Sequence, residues 1–289
     1  MRIGAIEAGG TKIVCGIGDE TGHISKQISF PTRSPEITVP EVIDFFADEE
    51  LDGLGIASFG PIVVDSKSKD YGRITSTPKL EWQNFDWSGT LSEKIIAPIY
   101  IDTDVNAAVL GEIRWGSAQG LDNCVYITVG TGIGAGVLVE GNLVHGLLHP
   151  EVGHMFVKRH PKDEFNGTCP YHGDCLEGLA CGPAISSRWG YQGKQLTGND
   201  SVWELESYYL AQAITNLTLI LSTKRIILGG GVMSQPLLLP LIRKKTLQLL
   251  NGYIGKTELM ENIDQYIVPP MLGGFSGLKG AIALVLSAT

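Results

Sequence analysis

The chain has 289 residues, of which 43% are hydrophobic and 18% charged, enough to bury a sizeable core and to divide into two lobes of ordinary domain size. A formal net charge of -9 repels phosphodiester backbones, and no basic run exceeds Arg243-Lys244-Lys245, so nucleic acid is not an expected partner. No stretch approaches the ~18 uninterrupted apolar residues of a membrane span, and Met1-Arg2 leads straight into a strand-like run without a signal core, so a cytoplasmic protein with no membrane partner is expected. In chain order, apolar patterning and turn residues predict strands over 2–7, 12–19 and 23–30, a helix over 39–46, and a strand over 53–57 before the turn Ser58-Phe59-Gly60-Pro61. A helix over 88–96 and a strand over 99–101 follow. The opening then recurs as strands over 124–129, 134–140 and 142–144. After it come a helix over 202–221, a strand over 225–228, a helix over 237–250, a strand over 266–268 and a last helix after Gly274. Hairpins followed by alternating helices and strands argue a mixed-sheet α/β lobe occurring twice, with little identity between the halves. The expected lobes are 1–113, completed by the C-terminal helix, and 114–289.

Two glycine turns stand at matching places in the two halves. Glu7-Ala8-Gly9-Gly10-Thr11-Lys12 lies between the first two strands, and Gly130-Thr131-Gly132-Ile133-Gly134-Ala135-Gly136 between their counterparts. Both read as β-hairpin tips. Glycine permits positive φ and lets backbone N–H groups approach an anion, while Thr and Lys add donors, so two facing tips would hold a polyphosphate. Turn chemistry alone is the other reading. A P-loop or Rossmann fingerprint is absent; Gly229-Gly230-Gly231 ends a strand without matching either. The acidic segment Asp102-Thr103-Asp104-Val105-Asn106 falls at a strand-to-helix junction, where such residues cap a helix or face a cleft.

His154 is followed by Cys169-Pro170-Tyr171-His172-Gly173-Asp174-Cys175, a C-x-x-H-x-x-C cluster with a further nitrogen ligand upstream. Two thiolates and two imidazoles suit a tetrahedral, structural Zn²⁺ held by His154, Cys169, His172 and Cys175. Buried thiols beside surface histidines are the alternative. The remaining cysteines, Cys15, Cys124 and Cys181, read as core residues, and five cysteines argue against a disulfide framework.

In order along the chain, the EAGGTK turn, the D-x-N-A-A segment at Asp104, the GTGIGAG turn and Glu151-Val152-Gly153-His154 resemble the motifs of the ROK sugar kinases. The resemblance covers essentially the whole chain. It implies two lobes of the actin-like, ribonuclease H-like ATPase fold, with a cleft between them and a zinc-stabilised loop. The EAGGTK turn, the 58–61 turn, Thr75-Ser76-Thr77-Pro78-Lys79 and the His172-containing cluster resemble the bacterial fructokinase branch, implying phosphorylation of fructose with ATP and Mg²⁺. Kinases for mannose, glucose or N-acetylmannosamine are the neighbouring alternatives, and a sugar-sensing regulator is a third class, one whose members carry an N-terminal DNA-binding extension. By the same resemblance Asp104 is the catalytic base. Asn106, Glu151, His154 and Glu177 would contact the sugar, although Asn106 would equally orient the Asp104 region and Glu177 also reads as a solvated surface group. Gly9, Gly10, Thr11, Lys12, Thr131 and Gly132 would contact phosphates, and Gly229, Gly230 and Gly231 would pass close to adenine and ribose. Glu7, where the family usually has Asp, would act on Mg²⁺ through water, and a homodimer is implied.

Overall fold

A computed structural model describes residues 1–288, which form two compact units. The first comprises Met1–Gly120, Leu143–His149 and the chain from Met271 onward; the second comprises Leu121–Asn142 and Pro150–Pro270.

In the first unit β1 (Ile3–Ala8), β2 (Lys12–Gly18) and β3 (Ile24–Pro31) run antiparallel. Parallel to β1 lie β4 (Gly53–Ser58) and β5 (Ile99–Thr103), giving the order β3-β2-β1-β4-β5. The two-residue strand period sorts β1 between two layers. Ile6 and Ala8 join Leu54, Ile56 and the buried Phe46, Trp82 and Trp87, from α1 (Pro35–Phe46), α2 (Trp87–Ser92) and the loop between β4 and α2. Ile3 and Ala5 face the other way, toward Ala107 of α3 (Asp104–Trp115) and Ala281 of the C-terminal helix, Ser276–Ala288. Glu7 continues that second row, which carries its carboxylate toward the head of the C-terminal helix.

Small residues let this helix lie close. A Cβ on Gly280 would stand 2.0 Å from the Ala107 carbonyl, and one on Gly55 would stand 1.8 Å from that of Ala281. The fully buried Glu112 of α3 fastens the segment before the helix. Its carboxylate accepts from Leu272 N at 3.0 Å, Met271 N at 3.1 Å, Ser276 Oγ at 2.8 Å and Ser117 N at 2.7 Å. Four donors are what a buried carboxylate requires.

The second unit repeats the arrangement. Its centre is β6 (Cys124–Val129), antiparallel to β7 (Ile133–Val139), with β8 (Asn142–Leu143) beyond it. On the other side β9 (Arg225–Gly229) and β10 (Ile267–Val268) run parallel, giving β10-β9-β6-β7-β8. The helices are α4 (Leu176–Ala180), α5 (Gly182–Trp189), α6 (Asp200–Leu221), α7 (Leu238–Leu250), α8 (Thr257–Met260) and α9 (Ile263–Tyr266), so the C-terminal helix is α10. Within the described residues no helix is long and apolar enough to cross a membrane.

Local departures from the sequence reading have local causes. Helix α1 begins at Pro35 rather than 39, because proline suits the first helical turn, where its missing N–H goes unused. Helix α2 starts at Trp87, with Asp86 capping Gly89 N at 2.8 Å, and stops at Ser92. Helices α4 and α5, of 5 and 8 residues, are too short to display a helical period.

Candidate active site

The turn between β1 and β2 is braced by its neighbours in the sheet. Gly9 N–H donates to Lys12 O at 3.0 Å and Phe59 N–H to Ala8 O at 2.8 Å; Thr32 donates through N–H to Thr11 O at 3.0 Å and through Oγ1 to Gly9 O at 2.7 Å. The carbonyls of Ala8, Gly9 and Thr11 are thereby tied back, while Thr11 and Lys12 stay exposed. A second lysine stem passes over the turn: a Cβ on Gly10 would stand 3.5 Å from Lys79 Cε. Among the described residues the positive-φ glycines include none from either turn; at Gly9 and Gly132 a Cβ would instead stand 3.0 Å from Lys12 O and 2.6 Å from Glu177 Oε2.

At the junction of β5 and α3 the helix cap is Thr103, whose side chain accepts from Asn106 N–H at 3.1 Å. Capping therefore leaves Asp102, Asp104 and the Asn106 side chain for other contacts. Asp104 occupies the first helical position and accepts from Val105 N–H at 3.0 Å. Burial pushes its carboxyl up to about 6. Burial, and next the negative charge of Asp104, push Glu7 up to about 7, against the opposing pull of Lys12 and of a hydrogen bond donated by Leu278 N–H at the head of α10. The extra methylene of Glu7 relative to Asp helps it reach that helix terminus, where the backbone N–H groups favour a carboxylate.

Asn106 is fully buried; its Nδ2 donates to Asp102 Oδ1 at 2.7 Å. Its contacts thus orient Asp102 and the first turn of α3. Asp102 Oδ2 pairs at 2.9 Å with Nε2 of His145, a residue the sequence reading passed over. Hydrogen bonding to Asp102 raises the His145 pKa. Nothing local flags this histidine, which meets Asp102 only because the segment Leu143–His149 returns to the first unit. His145 to Leu148 and Ile62 to Ser66 line a cavity of about 340 Å³, within the size range of small-ligand sites, roughly 300–1,000 Å³.

In the second unit the turn between β6 and β7 closes through Gly130 N–H to Gly132 O at 2.9 Å. Gly182 N–H at the start of α5 donates to Gly130 O at 2.8 Å, and Ile133 N–H donates to Glu177 Oε2 at 2.8 Å. Glu177 is thus a half-buried, hydrogen-bonded group. Gly229 to Gly231 lie against the strand that feeds this turn. Gly230 has φ +92°, and a Cβ there would stand 2.3 Å from Val129 O. Thr131 is exposed at the tip, and Glu151 is exposed ahead of the single 3-10 turn Val152–His154.

His154, Cys169, His172 and Cys175 converge, with one donor atom from each lying within 4.8 Å of all the others. Cys169 Sγ lies 3.7 Å from His154 Nδ1 and 3.6 Å from His172 Nδ1, and Cys175 Sγ lies 3.6 Å from His154 Nδ1. A tetrahedron with metal–sulfur bonds of about 2.3 Å and metal–nitrogen bonds of about 2.0 Å has S···N edges of ~3.6 Å. The donor set therefore fits a tetrahedral metal ion. Positive φ at Gly173 permits the tight turn in which Cys169 N–H and Gly173 O, and Gly173 N–H and Cys169 O, are paired at 3.2 and 2.9 Å. Cys15, Cys124 and Cys181 are buried away from this donor set.

Residues 3–288 match the ROK family. A protein of Bacillus subtilis (strain 168) is 50% identical over 286 residues, 99% of this chain and 96% of that one. The fructokinase of Pediococcus pentosaceus is 46% identical over 288 residues, 100% of this chain and 99% of its own. The ROK hexokinase of Thermus thermophilus has the same fold, with a TM-score of 0.80 at 23% identity, 100% of this chain and 99% of that chain being covered. On a match that spans both units, the chain belongs to the ROK family.

Proposed function

We propose that the protein transfers the γ-phosphoryl group of ATP to the 6-hydroxyl of D-fructose. Asp104 carries the chemistry: a carboxyl at the head of α3, pushed up to about 6, is ionised at neutral pH yet basic enough to take a proton. Similarity over nearly the full length to the Pediococcus pentosaceus fructokinase supports fructose as the acceptor. The sugar oxygen forms a bond to the γ-phosphorus, the bond from that phosphorus to the bridging oxygen of ADP breaks, and the hydroxyl proton passes to Asp104. Such transfers need positioning and charge neutralisation more than covalent help. Gly9, Gly10, Thr11, Thr131 and Gly132 are assigned to phosphate oxygens, with Lys12 and Lys79 supplying positive charge, and Gly229 to Gly231 to the nucleoside. Glu151, His154 and Glu177 are assigned to sugar hydroxyls, and Asn106 to holding the Asp102–His145 pair in place.

Mg²⁺, when bound, neutralises phosphate oxygens, and Glu7 is the carboxylate we assign to its water shell. Zn²⁺ is the ion we assign to the two thiolates and two imidazoles, which leave it no open position, so its part is to fix the loop. A hexose panel with ATP and Mg²⁺ tests the reading: fructose should give the highest kcat/KM, with the phosphate on the 6-hydroxyl. A tenfold preference for glucose or N-acetylmannosamine would overturn the substrate, and absence of phosphoryl transfer to every hexose would overturn the kinase.

A further inference from the structure

Ile133, the residue that leaves the second glycine turn, is gripped on both sides of its backbone. Its N–H donates to Glu177 Oε2 at 2.8 Å. Its carbonyl lies so close to Gly153 that a Cβ there would come within 1.9 Å of the Ile133 oxygen. Gly153 immediately precedes His154, and Glu177 stands two residues after Cys175, so each gripping residue adjoins a member of the Cys/His cluster. Leu176 N–H donates to Met155 O at 2.9 Å, joining the two gripping segments to each other. Gly132 completes the fit, since a Cβ there would stand 2.6 Å from Glu177 Oε2.

The peptide group between Gly132 and Ile133 carries two of the bonds that hold the tip, the third being Gly182 N–H to Gly130 O. Its C=O accepts the closing bond from Gly130 N–H at 2.9 Å, and its N–H goes to Glu177. Because a trans peptide is planar, fixing the N–H direction fixes the C=O direction. Resting on the reading of this turn as a phosphate cradle, we propose that Glu177 is a positioning residue for the nucleotide turn, through which the metal-binding loop sets the turn's shape. The contact needs an acceptor oxygen of the right reach and no negative charge. Glutamine supplies that oxygen; alanine supplies none, and aspartate is one methylene short.

The test is calorimetric binding of a non-hydrolysable ATP analogue with Mg²⁺, without sugar, to the full chain and to Glu177→Gln, Glu177→Asp, Glu177→Ala and Thr131→Val, with the metal content of each measured. The expected result is nucleotide affinity kept within about twofold in Glu177→Gln, lost by roughly tenfold in Glu177→Asp and Glu177→Ala, and metal content unchanged throughout. Should Glu177→Ala fail to fold, Glu177→Asp gives the same contrast with Glu177→Gln. Wild-type nucleotide affinity in Glu177→Asp and Glu177→Ala, alongside a loss in Thr131→Val, overturns the positioning role and leaves the phosphate cradle standing. No loss in Thr131→Val overturns the cradle itself. A loss in Glu177→Gln equal to or larger than that in Glu177→Asp also overturns the proposal, since an uncharged acceptor oxygen at the full reach would then not suffice.

Discussion

The two glycine turns occupy the same place in two sheets of the same order, yet they are built from different materials. The first is braced by residues of its own sheet region, Thr32 and Phe59, and carries the positive side chains Lys12 and Lys79. The second is braced by α5 and by Glu177, and the side chain nearest its backbone is a carboxylate. The first turn thus has cationic side chains close by, and the second has a peptide group, Gly132–Ile133, held by a carboxylate from a distant loop. A turn tied to its own strands forms whenever the sheet forms. A turn tied to the loop of the Cys/His cluster depends on that loop as well.

Asp104, the residue proposed as proton acceptor, belongs to the first unit, so the largest effect should come from there. Asp104→Asn should lower kcat by roughly 10²-fold or more while leaving nucleotide binding nearly intact. The same variant should be more stable than wild type at pH 8, because a carboxyl raised in the folded state makes ionisation costly there. Sign and window follow from the shift from 3.8 to about 6. The difference, about 1–2 kcal/mol at most after allowing for partial exposure, should be present above pH 6 and vanish below about pH 4. Denaturant titration at the two pH values checks it, and near-normal turnover would remove Asp104 from the chemistry.

Breaking the metal loop should separate the two turns. Cys169→Ser, which removes one of the four assigned ligands, should lower the metal content, lower the melting temperature and weaken nucleotide binding. Hydrogen exchange should then quicken in residues 128–135 while residues 7–13 keep their protection. Equal loosening of both turns would erase the contrast between them.

Smaller changes test the charge difference. Lys79→Met should raise the KM for ATP or lower kcat by about tenfold, in line with one charge-assisted contact of roughly 1.5 kcal/mol, without altering the melting temperature by more than a degree or two. An unchanged KM and kcat would leave Lys12 as the cation of that turn. The mildest effect is on pH dependence. With Asp104 raised to about 6, kcat/KM should be flat above pH 7 and fall about tenfold per unit below pH 6, as the base becomes protonated. A flat profile down to pH 5 would assign the proton acceptor elsewhere.

Both hairpins, the strand-to-helix junction at Asp102 to Asn106 and the convergence of His154, Cys169, His172 and Cys175 were legible in the sequence. Each is written in short-range pattern: apolar runs, turn glycines, and the spacing of Cys169, His172 and Cys175. Thr103 shows the limit even at short range, since three neighbouring polar residues were equally suited to cap α3 and only the backbone path selected it. The short helix carrying Glu177 left no periodic trace.

The sequence by itself determined where the main strands run, where the chain turns, and which Cys and His donors gather in one cluster, because these are written in composition and spacing along short stretches. Tertiary structure alone decided that Glu177 takes the N–H of Ile133, 44 residues earlier, and that His145 meets Asp102 across 43 residues. A backbone N–H accepts any suitably placed oxygen, and a buried carboxylate any suitably placed donor. Which partner arrives is settled by the path of the chain between them, and local patterning does not encode that path.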